Sequence, residues 1–208
     1  RARMVIKPAD VNTGIRFRRT DLQAQNDILA RGDHVTEVQL GTTLTNEDGD
    51  NIATVEHFLA ACAGMGLDNL LVEIDGPEVP IMDGSSAVFC ELFHDAGLKQ
   101  QTALRRRIRI LDTVEVRDGV KWARLSPSQD NVLTLKAKIE FIRHKLLDAV
   151  GDLMLAGAPI AGLYEARQPG HAMNNKLVRA LLEQPETWCW ETDADALESV
   201  TARESLTA

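Results

Sequence analysis

An amphipathic helix near residue 150 constrains the fold of this chain more than any other segment. Apolar side chains recur through Phe141–Leu155 at helical spacing, and no proline interrupts the run. On another face, His144, Asp148 and Asp152 follow one another at intervals of four residues. Because such residues are neighbours on a helix, an imidazole and a carboxylate can together clamp a transition metal such as zinc. A surface ion pair would have the same spacing, so both interpretations remain open.

The predicted elements divide the chain into two similar blocks. In each block, short strands are followed by a helix, a further strand and a second helix. The polar stretch Lys99–Leu104 is the predicted linker, which gives two α/β domains at residues 1–104 and 105–208. The four predicted helices begin after Thr54, at Ala87, at Phe141 and at Ala172.

Composition and charge restrict the class of protein. Of the 208 residues, 44% are hydrophobic and 26% are charged, which is typical of a globular chain. The formal net charge of −8 and an aromatic content of 4% argue against a nucleic-acid partner. There is no apolar run of membrane-spanning length, no signal-peptide pattern and no paired spacing of the three cysteines. The sequence therefore predicts a cytoplasmic protein without a transmembrane segment.

Two charged segments of the second block have simple interpretations. Four arginines crowd the start of a strand at residues 105–109, and we expect an exposed sheet edge there that discourages aggregation. From Glu186 onward, acidic residues outnumber basic ones and the pattern is weak. We expect this acidic segment to aid solubility and to have no further role.

Another helix begins at the motif T-V-E-H. Thr54 is a favourable N-cap residue, strong helix formers follow, and Gly64 and Gly66 mark the end of the helix. Glu56 and His57 therefore lie in its first turn. Adjacent helical residues point in different directions, but one can bind a metal while the other holds a water molecule beside it. The alternative is that Glu56 caps the helix and His57 packs against it.

Together, these motifs contain the residue types of a metallo-amidase. His57, His144 and Asp148 make a three-ligand set that leaves a position for water, as in catalytic zinc sites. Glu56 beside a ligand supplies a base, and a further histidine, His171 in G-H-A, can protonate a leaving amine. The sequence therefore favours metal-assisted amide hydrolysis.

The chain resembles the LpxC family of UDP-3-O-acyl-N-acetylglucosamine deacetylases. The matching motifs lie at Asn12–Leu22, Ala53–Ala61, Asp68–Ser85, Arg143–Leu153 and Gly170–Leu177. The resemblance implies zinc-dependent release of acetate from an acylated UDP-sugar and water, in the lipid A biosynthesis of Gram-negative bacteria. It also implies a monomeric cytoplasmic enzyme with an α+β sandwich fold, in which the helices of two similar α/β domains pack between two sheets.

The resemblance also implies roles for individual residues. By position in the matching motifs, the zinc ligands are His57, His144 and Asp148, and the general base that deprotonates the attacking water is Glu56. This assignment agrees with the metal and base roles that the motifs indicate without the family.

The remaining assignments concern proton transfer and the substrate. The resemblance implies His171 as the general acid, with Asp152 orienting and charging its imidazole. Lys145, beside a ligand, would stabilise developing negative charge. Lys121 and Glu140 match positions that the family uses for the nucleotide end of its substrate.

The sequence departs from the family in two places. It begins after the family's N-terminal strand and its G-x-G-L-H motif. In the second domain, the family has a long segment that includes strands, a helix, an oxyanion-binding threonine and the insert around the acyl chain. Here the chain is joined at residues 141–142 instead, so we expect an incomplete second domain and an impaired activity. The alternatives are a non-catalytic, zinc-binding relative that acts as a partner protein, and a zinc hydrolase of a smaller substrate.

Overall fold

The computed structural model describes residues 2–24, 27–138 and 142–195. Its helices are α1 Glu56–Met65, α2 Ala87–Ala96, α3 Ile142–Leu153 and α4 His171–Leu182. The strands of the first half are β1 Met4–Pro8, β2 Ile15–Arg19, β3 Asp27–Leu29, β4 Val35–Glu37, β5 Thr43–Thr45, β6 Asn51–Ile52 and β7 Leu70–Ile74. Those of the second half are β8 Arg106–Ile110, β9 Val114–Asp118, β10 Lys121–Ser126, β11 Leu133–Lys138, β12 Ile160–Arg167 and β13 Trp188–Thr192.

The first half forms a four-stranded sheet of order β1-β7-β2-β3, with a small sheet of β4, β5 and β6 beside it. Strand β2 alternates buried and half-buried residues, so one of its faces is apolar. Helix α1 covers that face, where the ring of Phe58 meets Phe17 edge-on at a centroid distance of 5.7 Å. Phe58 also packs on Phe89 of α2, so one aromatic cluster joins the sheet to both helices.

The second half forms a larger sheet of order β13-β8-β12-β10-β9. Strand β12 lies near its middle and pairs with β8 at its first residues and with β11 further along. Its buried residues, with Tyr164 the largest, pack against α3 and α4 around a second hydrophobic core. That core includes Ala149 and Leu153 of α3 and Leu177 and Leu181 of α4.

The two halves meet where α1 and α3 cross. A β-carbon at Gly151 of α3 would overlap the backbone carbonyl of Glu56, so only glycine allows this approach. The helices thus lie between the two sheets, and the predicted α/β class with an α+β sandwich is confirmed. The domain boundary after residue 104 stays a prediction. Among the described residues, no helix is long and apolar enough to cross a membrane.

We expect Gly151→Ala to force α1 and α3 apart. Overpacking of this kind typically lowers the free energy of unfolding by about 1–3 kcal/mol. The matched control is Gly64→Ala in α1, where a β-carbon meets nothing and alanine is the better helix former. Chemical denaturation of both variants tests this expectation, and equal stability of Gly151→Ala and the wild-type chain would contradict it.

Two expectations about charged segments were wrong. Strand β13 covers the edge of β8, so the arginines of β8 do not form an exposed edge. Arg109 binds Glu191 of β13 with its Nε 2.7 Å from Oε1, and Arg107 lies 3.7 Å from the same carboxylate. The acidic segment therefore contributes a strand and a buried partner for two arginines. Strand β8 is far away in sequence, and a local pattern does not reveal such a partner.

Candidate metal centre and active site

Helix α1 places Glu56 and His57 at the boundary between the two halves. The N-cap residue is Val55 and makes no side-chain cap, so the expectation of a Thr54 cap was wrong. Thr54 adopts a positive φ of 59° and its hydroxyl donates a hydrogen bond to Glu78 instead. Both Glu56 and His57 lie in the first turn of α1 and are buried.

Helix α3 supplies the second part of the site. Asp148 is only 1% exposed, whereas the side chain of His144 is 58% exposed, so the site opens to solvent on the His144 side. His57 Nε2 lies 3.4 Å from Asp148 Oδ1, and His144 Nδ1 lies 3.3 Å from Asp148 Oδ2. One ligand atom from each of the three residues falls within 4.8 Å of the others. The His144–Asp148 pair of α3 is thus joined by a second histidine, His57, from α1.

The chemistry of these three side chains fits a metal ion. Both ring nitrogens of His57 and both carboxylate oxygens of Asp148 are buried without a hydrogen-bond partner in the described part of the chain. Buried polar atoms without partners are costly, and a cation between them would satisfy them. Two imidazoles and one carboxylate are ligands that a divalent transition metal accepts.

The charges around the cluster favour a cation. Burial alone would raise the pKa of Asp148, but His57, His171, His144 and Lys145 outweigh it and hold that pKa below its usual value. Asp148 therefore stays anionic and raises the pKa of His57. A metal ion that binds His57 has to displace a proton from the ring once the ring is protonated. Metal binding therefore weakens as the pH falls.

His171 begins α4 and faces the same cluster. Its Nδ1 lies 3.0 Å from Asp152 Oδ2, while its Nε2 lies 3.9 Å from both Glu56 Oε1 and Asp148 Oδ2. Burial lowers the pKa of His171, but hydrogen bonding to Asp152 and the charges of the three carboxylates raise it above the ordinary value. These interactions favour the protonated form of the imidazole, whose Nε2 is directed toward the space beside Glu56.

Sequence reasoning missed three residues around Asp152. The Thr42 hydroxyl donates to Asp152 Oδ1 at 2.7 Å, and the Asn174 amide donates to Oδ2 at 2.9 Å. Tyr164, whose pKa is raised by burial, donates in turn to Asn174 at 2.7 Å. Asn174 follows His171 by one helical turn, and that spacing could have revealed it. No local signal identifies Thr42 or Tyr164.

Of the other three candidate residues, only Lys145 lies beside the cluster. Lys145 is half-exposed, with its Nζ 3.7 Å from Asp148 Oδ2. Lys121 begins β10 and is exposed, and in the described part of the chain it forms no hydrogen bond or ion pair with the cluster. Glu140 lies outside the described residues.

A three-ligand cluster beside a carboxylate and an imidazole with a raised pKa is the arrangement of a metal-dependent hydrolase. Comparison with known families agrees with that class. The model of the family described as LpxC, UDP-3-O-acyl N-acetylglycosamine deacetylase, matches residues 1–140 and 129–183. The chain belongs to this family.

Individual relatives are similar over nearly the whole chain. The UDP-3-O-acyl-N-acetylglucosamine deacetylase of Shewanella pealeana is 35% identical over 93% of this chain and 88% of the relative. That of Xylella fastidiosa strain Temecula1 is 38% identical over 90% and 85%, respectively. That of Stenotrophomonas maltophilia is 37% identical over the same shares.

The alignment also supports the expected internal gap. The match to the Shewanella pealeana protein spans 268 positions, but 93% of 208 residues is about 193, which leaves about 75 positions without a counterpart here. The family match is broken into two parts that meet at residues 129–140. The discontinuity therefore falls just before α3, as the sequence motifs suggested.

Proposed function

We propose that this chain hydrolyses the N-acetyl group of UDP-3-O-acyl-N-acetylglucosamine, with zinc as its metal ion. The principal support is the meeting of α1 and α3, which brings His57, His144 and Asp148 together in a member of the deacetylase family. The reaction consumes water and releases acetate, in lipid A biosynthesis. We further propose a cytoplasmic, monomeric enzyme.

The three ligands would hold the zinc ion. Two histidines and one carboxylate leave a coordination position open, which is the pattern of catalytic zinc sites. A bound zinc ion supplies Lewis acidity and can lower the pKa of water to about 7. Lys145 lies at the solvent side of the cluster, where its charge would stabilise negative charge that develops on the substrate.

Glu56 is the proposed general base. Its Oε2 accepts a hydrogen bond of 3.0 Å from the backbone N–H of Thr42, which fixes the carboxylate. Its Oε1 faces the cluster and makes no hydrogen bond among the described residues, so this oxygen can take the proton of the attacking water. Burial of Glu56 keeps the carboxylate away from bulk solvent.

His171 is the proposed general acid. With its Nδ1 proton donated to Asp152, the imidazole presents Nε2 to the leaving amine of the sugar. Asp152 thereby sets the orientation of the ring and favours its protonated form. At the nucleotide end of the substrate, Lys121 and Glu140 remain proposed contacts on the basis of the family motifs.

Asp152→Asn should shift the pH dependence of turnover. Because Asp152 raises the pKa of His171, its neutralisation lowers that pKa, and the general acid loses its proton at a lower pH. We expect kcat to fall by about 10–100-fold and its alkaline limb to move to lower pH. The pH profile of kcat measures both effects, and an unmoved alkaline limb would show that Asp152 does not control His171.

The direct test of the proposal is acetate release from UDP-3-O-acyl-N-acetylglucosamine. We expect release that stops after metal chelation and returns with zinc. Because the internal segment with the family's oxyanion-binding threonine is missing, turnover should be about 10²–10³-fold below that of a full-length relative. Bound zinc without any acetate release would favour the non-catalytic alternative. Faster release from UDP-N-acetylglucosamine than from the acylated substrate would favour a hydrolase of smaller molecules.

A further inference from the structure

We infer that Thr42 is a positioning residue that couples the general base to the general acid. It precedes β5, in the loop between two short strands, and is 1% exposed. It contacts Glu56 with its backbone and Asp152 with its side chain. This inference rests on the proposed deacetylase function, since it assigns Thr42 a role in that reaction.

The backbone of Thr42 holds the start of α1. Its N–H donates to Glu56 Oε2 at 3.0 Å, and its carbonyl accepts from the N–H of Val55 at 3.3 Å. Gly41 lets the loop approach, because a β-carbon there would lie 3.1 Å from Glu56 Oε1. The loop and the first turn of α1 therefore fit together closely, and the Glu56 carboxylate has little freedom to rotate.

The side chain of Thr42 contacts Asp152 and His171 in the second half of the protein. Its hydroxyl donates to Asp152 Oδ1 at 2.7 Å and lies 3.3 Å from Nδ1 of His171. With its proton given to Asp152, the hydroxyl oxygen can only accept from the His171 ring, which fixes the proton on Nδ1. Nε2 then faces Glu56 and the cluster, as proton donation to a leaving group requires.

Thr42 thus fixes two proton-transfer groups from one residue. The base lies on α1 and the acid on α4, and these helices belong to different hydrophobic cores. Proton transfer is sensitive to displacements of less than about 1 Å. Because Thr42 is hydrogen-bonded to Glu56 and to Asp152, the partner of His171, it limits how far the base and the acid can move relative to each other.

The test compares Thr42→Val, Thr42→Ser and the control Thr43→Val. Valine keeps the shape and the backbone contact with Glu56 but removes the hydroxyl, whereas serine keeps the hydroxyl. Thr43 is half-buried next to Thr42, and its hydroxyl makes no hydrogen bond in the described part of the chain. We expect Thr42→Val to lower kcat by about 10–100-fold with KM and zinc content unchanged, and both other variants to stay within about threefold of wild type.

A double-mutant cycle separates positioning from general destabilisation. If Thr42 acts through Asp152, the variant with both Thr42→Val and Asp152→Asn should lose no more kcat than Asp152→Asn alone. Fully multiplicative losses would overturn the inference, as would a Thr42→Val enzyme with the wild-type kcat.

The hydrogen bond at His171 can also be measured by NMR in a protein that does not turn over substrate. The Nδ1 proton of His171 should give a hydrogen-bonded imidazole resonance by NMR in the folded wild-type protein. We expect Thr42→Val to shift or lose that resonance and Thr42→Ser and Thr43→Val to keep it. An unchanged resonance in Thr42→Val would overturn the positioning role, whereas absent acetate release in the wild type would overturn only the proposed function.

Discussion

Asp148→Asn is expected to abolish zinc binding and acetate release together. Asp148 is the ligand that both histidines approach, at 3.4 Å from His57 and 3.3 Å from His144. Asparagine keeps the shape but removes the negative charge that the cluster needs to bind a cation. Loss of a mere hydrogen-bond partner of a ligand weakens metal affinity by about 10–100-fold, and loss of the ligand itself should cost more.

The measurement is zinc stoichiometry after dialysis, together with acetate release. Asp95→Asn is the matched control, because Asp95 is exposed on α2 and forms no ion pair in the described residues. We expect this control to keep both zinc and turnover. Stoichiometric zinc in Asp148→Asn would mean that the metal is held elsewhere and that the ligand assignment is wrong.

Glu56→Gln is expected to have the opposite combination of effects, with zinc retained and turnover lost. Glutamine can still accept the hydrogen bond from the Thr42 N–H, so the first turn of α1 keeps its geometry. It cannot accept the proton of the attacking water. Removal of a general base typically costs about 10²–10⁴ in rate, and we expect kcat to fall by that factor with KM little changed.

Comparison of the two variants distinguishes binding from catalysis. Zinc content and circular dichroism of Glu56→Gln should match those of wild type, and Glu91→Gln on the exposed side of α2 provides the matched control. Wild-type kcat in Glu56→Gln would rule out Glu56 as the base. Loss of zinc in this variant would instead indicate that Glu56 is itself a ligand.

Sequence alone predicted the helices of the site because their signals are local. The apolar spacing of Phe141–Leu155 gave α3 to within two residues at each end, and Ala87–Ala96 was predicted with its observed bounds. The candidate ligands His57, His144 and Asp148 also came from motifs within single helices. Their meeting in one cluster depends on the α1–α3 crossing. Gly151 permits this crossing, but a glycine in a helix does not by itself predict one.

The features that sequence missed depend on contacts between distant segments. Strand β13 was overlooked because its partner β8 lies about 80 residues earlier. The roles of Glu191 and Arg109 become clear only when the two strands pair and the side chains form a salt bridge. Thr42 was missed because nothing in its neighbourhood indicates that it meets Asp152, 110 residues later. Local pattern thus gives candidate residues, while tertiary packing decides which of them share a site.

Zinc-edge anomalous diffraction from crystals of the zinc-loaded protein would locate the metal directly. We expect one peak between α1 and α3, with the zinc ion at about 2.0–2.1 Å from the imidazoles of His57 and His144 and at about 2.0–2.2 Å from the Asp148 carboxylate. A peak at other residues, or no peak at this cluster in zinc-loaded crystals, would contradict the metal centre and the hydrolytic function built on it.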